Sequence, residues 1–413
     1  MQNTIQFCLG LRSLLVLCLL ATCRLQLPIV NAQAPSVPAE ELLSLEGKQV
    51  DLVLSNKSIL ANQTVVQATV TDDGKGLKIL KVRPEGSTKA KTIRLNSVQE
   101  IYLKDRPLDV AYDRKARQLR HDPEKRQARE DHEKEVADVL ESQGHRYWPL
   151  LEQADHEVYL KRHHEFVEKC KSALSDIPLQ TIETEHFIVT TDLSPSEVNN
   201  YLAYLDEMYR LLCTAFGLSP EKNIWCGKCV IMAFGKAETY HRFESEVMKV
   251  SSEGTQGLCH QSSDGTVIFA GYKGDSDYFG HVLVHETTHG FVHRYMSSAR
   301  LPSWLNEGIS DWLADAVVKG DRGAIRARQS ALSALAAGGL GDFLTSERIP
   351  LGSYGTACSM VEILVARDRG TQFKQFLVWL KEGRDPETSL QEAFGLSYKD
   401  LEALYAASIR RLR

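Results

Sequence analysis

Residues 279–295 read FGHVLVHETTHGFVHRY. At the centre, His285-Glu286-Thr287-Thr288-His289 sits in an apolar frame, with Phe279, Val282, Leu283 and Val284 before it and Phe291, Val292 and Tyr295 after it. On a helix of ~3.6 residues per turn, positions four apart share a face. Both imidazoles can then reach one metal ion with a carboxylate beside it, the ligand geometry of a zinc hydrolase. Five residues are few, and the same pattern fits an ordinary helix with two partly buried histidines. The residues that follow narrow the choice.

Ser303 suits an N-cap, which predicts a helix from Trp304 carrying Asn306-Glu307-Gly308-Ile309-Ser310-Asp311. Glu307 falls eighteen residues after His289. That leaves room to finish the first helix, turn through Leu301-Pro302 and return antiparallel beside it. A third ligand arriving this way completes a His₂Glu site with one open position. Glu307 and Asp311 share a face, so Asp311 can accept a hydrogen bond from the far nitrogen of a ligating histidine and fix its tautomer.

H-E-T-T-H followed by N-E-G-I-S-D resembles the gluzincin zinc peptidases, the thermolysin-like group. The run Pro302-Ser303-Trp304-Leu305-Asn306-Glu307-Gly308 is closest to the secreted bacterial metallopeptidases of the peptidase-MA-like type. The resemblance spans about residues 180–413 and implies one Zn2+ ion bound by His285, His289 and Glu307. It also implies Glu286 as general base and Asp311 as the partner of a ligand histidine, with His285 the candidate. Ser353-Tyr354-Gly355-Thr356-Ala357 is similar to the tyrosine-bearing helix of related gluzincins, which makes Tyr354 the candidate oxyanion donor. The implied fold is α+β: a small mixed sheet with the H-E-x-x-H helix, then a helical C-terminal half. In such a fold Gly257 to Gln261 would lie along the cleft and pair with extended substrate; His260 could then face it, although a lone histidine is more often structural.

The rest of the chain sets bounds. A length of 413 residues leaves room for more than one domain. A net charge of −5 without a long basic block argues against nucleic acid as a partner. Arg12 precedes an apolar run from Ser13 to Thr22, and Ala32-Gln33-Ala34 offers a cleavage site after Ala34. Residues 1–34 thus read as a signal peptide, and the mature chain is expected to be secreted or held in the periplasm or cell envelope, with no stable membrane span. Cleavage leaves Cys170, Cys213, Cys226, Cys229, Cys259 and Cys358. Six cysteines in so long a chain are not a disulfide scaffold, though one or two bridges are compatible with export. A Cys229–Cys259 bridge between neighbouring strands is one candidate.

Four regions follow. After residues 1–34, residues 35–113 show short alternating strands with turns at Asp72-Asp73-Gly74 and Pro84-Glu85-Gly86. They read as a small β-barrel or sandwich without a catalytic cluster, a spacer or a module for a cell-envelope partner. Residues 114–178 form a charged helical connector, where His163-His164 reads as solvated surface. Residues 179–413 carry the metallopeptidase pattern. Cys226-Gly227-Lys228-Cys229 enters a strand and lacks two further ligands nearby, so it reads as structural rather than as a zinc knuckle or a redox pair.

The functional expectation is an exported zinc-dependent peptidase acting on a peptide or protein. Two other readings stay open. One is a catalytically silent surface or binding protein on a gluzincin scaffold, for which retention of Glu286 would have no purpose. The other is a zinc hydrolase of a non-peptide amide.

Overall fold

The computed structural model describes residues 39–56, 59–103, 106–148, 151–218, 223–275, 277–318, 322–336, 340–368 and 372–410. The expected signal peptide and its cleavage site lie outside the described residues. The architecture is mixed α+β with an all-β N-terminal region.

A short helix α1 (Ala39–Leu43) leads into strands β1 (Gln49–Leu54), β2 (Ile59–Val70), β3 (Gly76–Pro84), β4 (Lys91–Thr92), β5 (Val98–Leu103), β6 (Arg106–Pro107), β7 (Val110–Asp113) and β8 (Gln118–His121). They form one antiparallel sheet in the order β6-β5-β1-β2-β3-β8-β7, with β4 added beside β3. Apolar residues from the strands meet in one core that includes Val50, Leu52, Val65, Leu77, Leu80 and Ile101. The sheet curls back on itself. Leu108 N–H donates to the Ile101 carbonyl, and Val110 N–H to the Glu100 carboxylate.

The all-β region therefore runs to His121, not to residue 113. A boundary at 113 cuts the β7–β8 hairpin, whose connecting residues Arg114-Lys115-Ala116-Arg117 contain no glycine or proline and read as the start of a charged connector. Arg117 itself supplies the positive φ of 54° that closes the turn.

Helix α2 (Pro123–Ser142) starts where Asp122 accepts the Glu124 and Lys125 N–H groups. Its first half is tied to the rolled sheet: Arg129 makes a bidentate pair with Asp109 at 3.1 and 2.9 Å and reaches Glu133 at 2.8 Å. Its second half packs Val136 and Leu140 on Ala299. Helix α3 (Gln153–Ala173) buries Val167, Cys170 and His163. The paired reading of His163 and His164 fails here. His164 is exposed and meets Glu183, but His163 is only 4 % exposed, because this helix lays one face on the second sheet.

That sheet is built from β9 (Gln180–Glu183), β10 (Phe187–Thr191), β11 (Cys229–Phe234), β12 (Gly257–Gln261) and β13 (Val267–Tyr272), in the order β12-β13-β11-β10-β9. The three inner strands are parallel and both edges antiparallel. CVIMAF of β11 is buried at every position, as a strand covered on both faces must be. Val230, Met232 and Phe234 face α3 and α5 (Ala237–Phe243), which continues as a π-helical turn over Glu244–Met248. Ile231 and Ala233 face α4 (Pro195–Phe216) and α6 (Phe279–Arg294). α4 begins in a capping box of Ser194 and Glu197 and ends at Gly217, φ 68°.

The remainder is helical: α7 (Ser303–Val317), α8 (Arg322–Ala336), α9 (Tyr354–Arg367), α10 (Gln372–Lys381), α11 (Pro386–Phe394) and α12 (Tyr398–Arg410). Ser303 is the first residue of α7 rather than its N-cap. Pro302 holds that position, and the Ser303 hydroxyl accepts the Ile349 N–H instead.

Candidate metal centre

α6 is buried on most sides. Leu283, Val284 and Phe291 join the core under the sheet, and the opposite flank packs against α7. Successive pairings, His281 with Asp315, His285 with Asp311 and His289 with Glu307, show α7 running antiparallel to α6. Gly308 lets α9 close over α7. A Cβ there would stand 2.5 Å from the Ala357 carbonyl oxygen.

At this crossing three acceptor atoms converge. His285 Nε2 and His289 Nε2 are 3.1 Å apart, and Glu307 Oε2 is 3.2 Å from the first and 3.4 Å from the second. Each imidazole is fixed from behind. His285 Nδ1–H donates to Asp311 Oδ1 at 2.9 Å, and His289 Nδ1–H donates to Ser310 Oγ at 3.1 Å. Ser310 is free to accept because its own proton goes to the Asn306 carbonyl. Both Nε2 lone pairs are therefore directed at the carboxylate oxygen and at each other, an arrangement that calls for a cation. Zinc–nitrogen and zinc–oxygen bonds of about 2.0–2.1 Å imply tetrahedral edges of roughly 3.3–3.4 Å. The observed triangle matches that within about 0.3 Å, so the donor set and its spacing fit one divalent metal.

The electrostatics agree. Burial opposes charge on His285, yet Asp311 and Glu307 outweigh it and push its pKa up to about 10 without metal. Burial would raise Glu307, but hydrogen bonds from both histidines hold it well below the usual carboxylate range. Asp311 is likewise held down by His285 against its burial. A proton shared by this cluster occupies the role that a metal would take.

Glu286 lies on the same turn of α6, near enough for its charge to act on His285, Tyr354 and Cys259. Tyr354 opens α9 with its ring nearly parallel to that of His285, centroids 6.0 Å apart. Burial, then Glu307 and Glu286, push its phenol up to about 12, so it stays a donor near neutral pH.

Two expectations are corrected. His260 does not face this site. Its register partner Ile268 belongs to the opposite face of the sheet, where His260 pairs with the fully buried Glu244 at 3.0 Å. Cys229 and Cys259 are not on neighbouring strands: β13 lies between them. Two strand spacings, roughly 9.6 Å, exceed disulfide reach. Both are free thiols, as are Cys170 and Cys226. Within Cys226-Gly227-Lys228-Cys229 the two thiols part company. Cys226 lies against the Asp264 carbonyl and Cys229 enters the core.

Sequence reasoning missed Ser310, which follows Asn306 by one turn, and His281, which precedes His285 by the same four-residue step. It also missed Arg326, for which no local signal exists. No known family model matches the chain, and no curated protein matches it.

Proposed function

We propose that the protein is an exported zinc-dependent peptidase of the gluzincin type. The observation that carries this is the triangle of His285 Nε2, His289 Nε2 and Glu307 Oε2, with Glu286 on the same helix turn. A bound zinc ion would act as a Lewis acid and make hydroxide available near neutral pH. Glu286 accepts the proton of the attacking water and returns it to the leaving amine. Tyr354, kept protonated, donates to the oxyanion that develops on the scissile carbonyl, a role typically worth about 3–4 kcal/mol. Asp311 and Ser310 hold the two imidazoles so that neither turns away during turnover.

The test is cleavage of a peptide library by wild type and Glu286→Gln, with zinc content measured on both. The expected result is unchanged zinc and a loss of about 10²–10⁴ in rate. Equal cleavage by the variant would remove Glu286 from the mechanism. Zinc without cleavage of any peptide would favour the silent scaffold or another amide substrate.

A further inference from the structure

The metal-binding face of α6 carries one histidine too many. His281, His285 and His289 recur every four residues and share that face, but only the last two converge with Glu307. His281 is 6 % exposed at its side chain, stacks on the Tyr278 ring at 4.6 Å and 15°, and points Nε2 at Asp315 and at Asp311, the carboxylate that orients His285. That atom is 3.2 Å from Asp315 Oδ1 and 3.8 Å from Asp311 Oδ1. Asp311 and Asp315 are one turn apart on α7, so their charges repel across it.

Arg326, reaching in from α8, occupies this junction. Its Nη2 donates to His281 Nε2 at 2.7 Å and to Asp315 Oδ1 at 2.8 Å, and its Nη1 donates to the Tyr278 hydroxyl at 3.0 Å. Its Nε stands 3.6 Å from Asp311 Oδ2, while Oδ1 of the same carboxylate takes the His285 Nδ1–H. The backbone behind it is fixed too. A Cβ on Gly355, the residue after Tyr354, would lie 2.5 Å from the Arg326 carbonyl oxygen.

On the premise that the triangle holds zinc, we propose that Arg326 is a positioning residue of the metal centre, which commits Asp311 to His285 and keeps His281 from competing for it. The guanidinium provides the cation that the two carboxylates need and claims the His281 nitrogen as an acceptor. Asp311 is left with one imidazole to orient. A lysine keeps the charge but cannot span His281, Asp315 and Tyr278 at once.

The test is the zinc dissociation constant of the full chain, read by competition with a chromophoric chelator. It is measured for wild type, Arg326→Met, Asp311→Asn and the double variant, with the fold of each metal-free protein checked by circular dichroism. Arg326→Met should weaken zinc binding about tenfold or more, the scale of lost outer partners. In the Asp311→Asn background the same change should cost less than about twofold, because the path through Asp311 is already broken. Arg326→Lys should fall between wild type and methionine, and it takes over the test if Arg326→Met does not fold. An equal loss in both backgrounds would reduce Arg326 to a prop for α8, and no loss in either would end the proposal. Failure of wild type to bind zinc would instead defeat the metal-site premise.

Discussion

Among the described residues, two buried clusters of charge are built in opposite ways. Between the rolled sheet and α2, Arg129 sits among Asp109 and Glu133 with side chains only 4–10 % exposed. That cluster is closed: its five-donor cation is matched by two carboxylates and needs nothing from outside. Between α6 and α7, His285, His289 and Glu307 aim three acceptors at one point, with both imidazole protons already committed elsewhere. That cluster is open. A closed cluster fixes how two elements sit together, whereas an open one stores a demand for a cation. The difference, more than burial or charge count, separates a structural ion pair from a candidate site.

Breaking the closed cluster should cost stability alone. Arg129→Met leaves Asp109 and Glu133 buried without their partner and should destabilise by about 3–5 kcal/mol in urea unfolding. Zinc affinity should not change. A change in affinity would mean that the two clusters are coupled through α2.

A smaller loss is expected at the helix crossing. Gly308→Ala forces α9 from α7 and should cost about 1–3 kcal/mol. Since α9 carries Tyr354, peptidase rate should fall with it while zinc stays bound. Unchanged rate would detach Tyr354 from the oxyanion role.

The most diagnostic effect is on pH dependence. His285 is raised to about 10 in the metal-free fold, so its stabilisation is complete below its unfolded pKa near 6.5 and is lost as pH rises toward 10. Glu307 and Asp311 are lowered, so their stabilisation holds above their unfolded values and is lost in acid. Metal-free protein should therefore lose stability between about pH 6.5 and 10, and zinc-loaded protein should not lose this contribution. Identical alkaline profiles with and without zinc would mean that the cluster does not exchange a proton for the metal.

The candidate metal ligands were legible because their spacing is local. His285 and His289 are set by the helical period, and Glu307 by the length of one turn and return. Asp311 followed from the same arithmetic. Ser310 was missed because a hydroxyl on a helix usually bonds its own backbone, and here it does that while also accepting from His289. Arg326 was invisible for a different reason. Its partners lie on two elements, Tyr278 and His281 at the start of α6 and Asp311 and Asp315 on α7, and only the approach of α8 brings it to them. The His260–Glu244 pair depended on which face of an edge strand looks toward α6, a register that no local pattern fixes. The rolled sheet was read correctly as all-β but cut short at residue 113, since its last hairpin turns without glycine.

The open cluster is expected to bind one divalent ion. Metal analysis of the chain after dialysis against zinc, beside His289→Ala, tests it most directly. One zinc per chain in wild type and none in the variant is the expected result. A wild-type chain that retains no zinc, with its fold intact, would contradict it.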